Sequence, residues 1–382
     1  MRTKLNKYAL PVSTALLTVC LPAMAQSNVT LYGVVDAGIS YSNNVDGGSQ
    51  VQARSGSMSG GRWGMKGTED LGGGVKAIFR LENGFNIYNG TLGQGGREFG
   101  RSAYVGLQSD HFGTLTLGRQ YDPIADLEGA FVGDGVFGSI FVTPGDVDNS
   151  DASLRFNNAI KYLSPVYAGL QFEGMYALGG VAGDVTAGNV FSGAVLYSMG
   201  GLNVAGGYLF SKNNSATSNA GGFVADNQVT KGYTLRDGSF QTAHAAAAYT
   251  FSKFTVGARY SNSQYKTYVT TAIVDGTEKF NVGSGYVTYQ FTPALKAAVN
   301  YSYTKASGVT SASYHQLSAG VDYFLSKTTD LYALAGYTKA SGSNVNATGT
   351  AVVAATASVG DFSDTSSNSK QFMTIVGLRH KF

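Results

Sequence analysis

The chain has 382 residues, with 27 Lys and Arg against 24 Asp and Glu, 52 glycines, six prolines and one cysteine. Three cations, Arg2, Lys4 and Lys7, fall in the first seven residues, so the remainder is balanced in charge and lacks the basic excess that nucleic-acid binding requires. A single cysteine, Cys20, excludes an internal disulfide and a multi-cysteine metal centre, and no run of about 18 apolar residues offers a membrane helix.

The basic start leads into an uncharged, largely apolar run at 8–21 and then into Ala23-Met24-Ala25, a small-x-small cleavage pattern. Residues 1–25 are therefore expected to be a secretory signal peptide, leaving a mature chain at 26–382 that starts at Gln26. The run is short for an anchor and is interrupted by Pro11 and Pro22. Cys20 lies within the segment to be removed.

The rest alternates with period two. Leu295, Ala297, Val299, Tyr301 and Tyr303 share one face of an extended segment, and Lys296, Ala298, Asn300, Ser302 and Thr304 share the other. One apolar and one polar face mean a strand between two different media. Leu202 to Phe210, Phe254 to Tyr260 and Leu317 to Tyr323 repeat the pattern, with aromatic residues at the ends of the apolar stripes. In order, sixteen such segments begin near Thr30, Met58, Val75, Arg101, Thr114, Arg155, Leu170, Val190, Leu202, Thr242, Phe254, Phe280, Leu295, Tyr314, Leu331 and Gln371.

Short links at 71–74, 110–113, 200–201, 252–253 and 292–294 carry turn residues, and long links at 43–56, 212–239 and 340–370 are rich in Gly, Ser, Asn and Thr. Short turns on one rim and long loops on the other are the asymmetry of an outer-membrane barrel. Lipid demands closure, because an open edge would leave backbone groups unpaired. A soluble sandwich or solenoid would bury the apolar stripe and need not repeat its aromatic ends. The expected fold is all-β, a 16-stranded antiparallel transmembrane β-barrel. The stretch 121–154 alternates poorly and is too long for a turn, so it is expected to be a third long loop folded into the lumen, a constriction loop.

Several motifs carry a family resemblance along the whole mature chain. They are Val29-Thr30-Leu31-Tyr32-Gly33-Val34-Val35-Asp36-Ala37-Gly38, then Arg62-Trp63-Gly64-Met65-Lys66-Gly67-Thr68-Glu69-Asp70-Leu71-Gly72, Arg101-Ser102-Ala103-Tyr104-Val105-Gly106-Leu107, Gly118-Arg119-Gln120 and the closing Gly377-Leu378-Arg379-His380-Lys381-Phe382. In order and spacing they resemble the general trimeric porins of Gram-negative bacteria, of β-proteobacterial type. The terminal Phe382, at the end of the stripe Phe372, Thr374, Val376, Leu378 and His380, is similar to the signal by which the barrel assembly machinery recognises its clients. The resemblance implies a homotrimer in outer-membrane lipid and lipopolysaccharide, passing small hydrophilic solutes and ions, with no cofactor and no metal.

It also implies a neck where arginines on the wall face the third loop. The matching wall positions are Arg62, Arg101 and Arg155, and strand parity adds Arg80. The enteric porins carry an acid in a Pro-Glu-Phe-Gly-Gly stretch at the loop tip, where this chain reads Gly135-Val136-Phe137-Gly138-Ser139. The expected acids are therefore Asp126, Glu128 and Asp134. Fewer acids opposite retained arginines point to weak anion preference, because fixed charge on a low-dielectric wall concentrates the counter-ion.

Catalytic patterns are lacking. His111, His244, His315 and His380 have no H-E-x-x-H spacing, and G-x-S-x-G and Walker A motifs do not occur. The four histidines read as structural. Asp146, Asp148 and Asp151 hint at calcium, but an EF-hand register would put Asp151 where Gly is needed and Asn157 where Glu is needed. The leading expectation is a passive diffusion pore; the alternatives are a substrate-specific anion channel with a saturable arginine site, a barrel hydrolase, and a secondary adhesive role for the long loops.

Overall fold

The structure, a computed structural model, describes residues 28–213, 229–233, 238–267, 276–362, 364 and 366–382. The expected signal peptide and most of the long link at 212–239 lie outside the described residues.

Eighteen strand segments form one sheet. They are β1 (Asn28–Val45), β2 (Gly48–Ser55), β3 (Arg62–Gly72), β4 (Val75–Gly84), β5 (Ser102–Ser109), β6 (Gly113–Tyr121), β7 (Arg155–Leu163), β8 (Leu170–Ala177) and β9 (Val190–Met199). The second half comprises β10 (Leu202–Asn213), β11 (Gly238–Phe251), β12 (Phe254–Thr267), β13 (Gly276–Thr292), β14 (Leu295–Ser307), β15 (Ser311–Phe324), β16 (Thr329–Val345), β17 (Val352–Ala354) and β18 (Lys370–Lys381). Each pairs antiparallel with its neighbours, and β18 returns to β1 from Val34 opposite Lys381 to Ser42 opposite Met373. Gly33 and Phe382 exchange both backbone hydrogen bonds, at 2.9 and 3.1 Å, and close the seam.

The staves number sixteen. β3 and β2 lie end to end along one edge of β1, interrupted at residues 56–61, and count as one stave; β17 pairs only with the tip of β16. The expectation that 43–56 is an irregular link needs correcting: β1 runs on to Val45, turns at Asp46 and Gly47, and returns as β2. Its Ser and Asn content disguised a strand whose apolar members are few.

The two faces follow the alternation. On β14, Val299 and Tyr301 are about half exposed while Asn300, Ser302 and Thr304 are buried. Near the short turns the outward rings form a chain, Tyr249, Phe251, Phe254, Tyr289 and Phe291, with successive centroids 4.5 to 5.8 Å apart. Amphipathic rings at that level suit the boundary between hydrocarbon and headgroups. Outward residues on β1, β5, β6 and β18 are largely aliphatic, among them Leu31, Ile39, Val105, Leu107, Leu117 and Val376, with Tyr41 and Phe372 as exposed aromatic members.

The segment between β6 and β7 contains short helices at Pro123–Glu128 and Asp134–Phe137 and several 3-10 turns. Asp122 caps the first helix, accepting from the N–H groups of Ile124 and Ala125, with Pro123 at the first helical position. The carbonyls of the segment are satisfied by inward side chains of distant strands. Gln316 donates to Ile140 and Val142, Ser318 to Ile140, Tyr265 to Val147 and Tyr286 to Phe131, at 2.6 to 3.1 Å. Phe137, Ile140 and Phe141 pack on Ala298, Leu334, Met373 and Ile375. Burying each such ring or branched chain contributes roughly 1.5–3 kcal/mol.

Candidate functional site

The charged residues singled out by the sequence gather at the foot of this segment. Arg62 at the start of β3, Arg101 just before β5 and Arg155 at the start of β7 line one cavity of about 380 Å³. Tyr121, Asp126, Asp134 and Asp151 complete its wall with Asp361 from the last long link. Arg155 donates to the Tyr121 hydroxyl at 2.7 Å, and its guanidinium carbon lies 4.4 Å from the ring centroid. Arg101 sits 5.9 Å from the same ring, so Tyr121 divides two cations with its face.

Arg80 stands one cavity away. It faces a space of about 260 Å³ together with Ser102, Tyr104, Gln120, Lys161 and Glu173; Tyr121 and Asp126 border both cavities. Arg80 donates to the Tyr32 hydroxyl at 2.7 Å and is paired with Glu82. Glu82, 1% exposed, also accepts from Arg101 at 2.7 Å and from Tyr32 at 2.7 Å. A buried carboxylate shared by two guanidiniums holds both in place and lowers the net field they project.

The three expected acids part company. Asp134 and Asp126 border the first cavity, Asp126 being ion-paired with Lys161. Glu128 instead meets Nδ1 of His244 at 3.1 Å, both side chains almost fully buried between segment and wall. Nε2 of His244 donates to the carbonyl of Asp148 at 2.9 Å. Burial pushes the Asp134 carboxyl up to about 7, helped by Asp151 and opposed by Arg62 and Arg101. Asp148 goes the other way: burial would raise it, but Arg259 at 2.9 Å, His244 and the hydroxyls of Ser261 and Thr143 hold it below the usual carboxylate range.

The aspartates considered for calcium are otherwise engaged. Asp148 is paired with Arg259, and Asp146 accepts from Ser150 and from the N–H of Asp151. Among the described residues, no group of three or more His, Cys, Asp or Glu side chains is placed to hold a metal ion. Of the other histidines, His315 bonds the Tyr301 hydroxyl on the outer face at 2.7 Å, and His380 bonds Thr329 at 2.8 Å.

Sequence reasoning missed Glu82, Tyr121, Lys161 and Asp361 as members of this region. For Glu82 the signal was present, since it follows Arg80 by two on one strand. For Asp361 there was none, because its place depends on contacts across the barrel. Gly360 donates to Gln316 at 2.7 Å and accepts from Gly145 at 3.0 Å, which brings the last link against the segment between β6 and β7.

The model of the Gram-negative porin family matches residues 12–343. This chain belongs to the Gram-negative porins. It is 31% identical to an outer membrane porin protein of Bordetella pertussis over 360 residues, covering 83% of this chain and 90% of the relative. It is 28% identical to the major outer membrane protein P.IB of Neisseria meningitidis serogroup B over 328 residues, covering 85% and 91%. Among solved structures its fold is similar to an anion-selective porin from Comamonas acidovorans, with a TM-score of 0.71 at 24% identity over 94% of this chain and 100% of the other. The porin is a closed 16-stranded barrel of the outer membrane, and it serves as a passive channel.

Proposed function

We propose that segment 121–154 sets the neck of this porin and that Arg62, Arg101 and Arg155 give it a weak preference for anions among small hydrophilic solutes. One observation carries the reading: the three arginines and the root of the segment border the same cavity. Passage would be selected by size and field alone, without a bond made or broken.

The preference is weak because four carboxylates border the cavity, more than the loop tip suggested. Two of them count for less than a full charge: Asp126 is neutralised by Lys161, and Asp134 loses its proton only near pH 7. The Comamonas neighbour, described as anion-selective, agrees with the sign. The test is the reversal potential of single channels in a KCl gradient, for wild type and Arg101→Ala. Anion preference is expected in the wild type and a lower anion-to-cation ratio in the variant; a wild-type potential of cation sign overturns the proposal. Conductance linear in salt supports a general pore, whereas saturation by one anionic solute supports a binding site at the arginines.

The same reading assigns 1–25 to export, 26–382 to the barrel and Phe382 to recognition by the assembly machinery. The aliphatic outer face around β18, β1, β5 and β6 would pack in a homotrimer, leaving the aromatic staves to lipid and lipopolysaccharide. A solved neighbour, a Vibrio cholerae outer membrane protein described in a trimer form, supports that arrangement. Migration only at monomer mass in unheated mild detergent counts against it.

A further inference from the structure

Lys161 is an inward lysine on β7 that lines the smaller cavity, and its surroundings are specific. The side chain is 10% exposed. Its ammonium has three N–H donors and three acceptors: the Asp126 carboxylate on the helix Pro123–Glu128, the Tyr121 carbonyl at 3.1 Å and the Glu173 carboxylate of β8 at 3.3 Å. The donors are thereby used up, and a permeating anion would have to displace a protein oxygen to reach them.

Asp126 and Tyr121 are the two residues that border both cavities, the larger with Arg62, Arg101 and Arg155 and the smaller with Arg80. Lys161 holds both, one by its side chain and one by its backbone. The lysine therefore ties together the two residues of the partition, pairing with Asp126 while it also holds Glu173.

We infer that Lys161 is a positioning residue for ion selectivity, acting through Asp126: it clamps the root of segment 121–154 and holds the Asp126 carboxylate at the partition, so that it does not move out to oppose the wall arginines. The inference rests on the channel reading above. It differs from a simple electrostatic effect of one more cation, because charges that stay in place alter the anion-to-cation permeability ratio by the same factor in either background, whereas loss of the clamp frees the Asp126 carboxylate to move toward the passage and changes the factor that its removal gives.

The experiment is a two-by-two comparison of reversal potentials in a KCl gradient: wild type, Asp126→Asn, Lys161→Met and the double variant. With Lys161 present, Asp126→Asn is expected to change the permeability ratio by less than about 1.5-fold, since the clamped carboxylate stands back from the passage; with Met at 161 the same change is expected to raise it about fivefold, as for one released unit charge about 5 Å from a passing ion. Equal fold-changes in both backgrounds overturn the inference. Lys161→Gln, which keeps a donor for the Tyr121 carbonyl, gives the same comparison if the methionine variant does not assemble. A wild type that forms no ion-conducting channel refutes the channel reading itself, and is distinct from a conducting wild type with additive variants.

Discussion

Lowering the pH from 9 to 5 should make the channel more anion-selective, with a midpoint near 7 set by Asp134. The carboxyl opens the helix Asp134–Phe137 and borders the cavity of the three arginines; burial and the neighbouring Asp151 push it up to about 7 against the pull of Arg62 and Arg101. Its raised value means that it is charged above pH 7 and neutral below. One negative charge opposing the arginines is therefore present at pH 9, half present at pH 7 and absent at pH 5. A unit charge about 5 Å from a passing ion in water contributes about 0.8 kcal/mol, or about 0.5 kcal/mol after screening at 0.1 M salt. That is about twofold for each ion and, since anions gain what cations lose, about fivefold in their ratio. Reversal potentials in a fixed KCl gradient, stepped through pH, measure it directly. Asp134→Asn should hold the low-pH ratio throughout and erase the step. A step that survives in Asp134→Asn, or that runs toward cations as pH falls, refutes the assignment.

Two further substitutions test how the inner segment is held. Arg259→Met removes the partner of Asp148, a carboxylate at 0% exposure, and should cost about 3–5 kcal/mol of local stability because a buried charge is left unpaired; faster proteolysis within 121–154 and a noisier open channel are the expected readouts, and unchanged protease resistance counts against the anchor. On β15, Gly320 has no room for a side chain, since a Cβ there would stand 2.4 Å from the Phe137 ring. Gly320→Val should push the tip off the β15 wall toward the arginines and lower single-channel conductance, and a variant with wild-type conductance refutes that packing.

Period two made the staves legible because each strand separates two media, and the sixteen segment starts agree with the observed strands to within a few residues at most positions. Parity also marked Arg80, but it marks Glu82 equally well. The acid was overlooked because attention went to the loop tip, where a carboxylate was missing, rather than to the wall. On β7 parity fails for a physical reason. Asn158, with φ of 53°, forms a bulge at which two residues stand opposite one of β6, so the buried Phe156 before it and the buried Ala159 and Lys161 after it do not share one parity. Glu128 and Asp126 lie two apart on one short helix, and which of them borders the cavity depends on how that helix docks on β8 to β11. No local pattern encodes that docking.

The inner face of the barrel is written in two vocabularies rather than one. Around β3 to β8 the inward positions are Arg62, Arg80, Glu82, Lys161 and Glu173, residues that keep water and charge beside them. Around β14 to β18 they include Ala298, Gly320, Leu334, Met373 and Ile375, residues that suit contact with Phe137, Ile140 and Phe141. A uniform water-filled barrel would have no use for Met373 and Ile375 facing inward, since apolar surface left in water forgoes about 25 cal/mol for each Å². Their presence marks the wall against which segment 121–154 packs. If that segment sets the neck as proposed, the passage is off-centre, pressed against the arginine wall, and a few charges on four staves would govern selectivity in a barrel of sixteen.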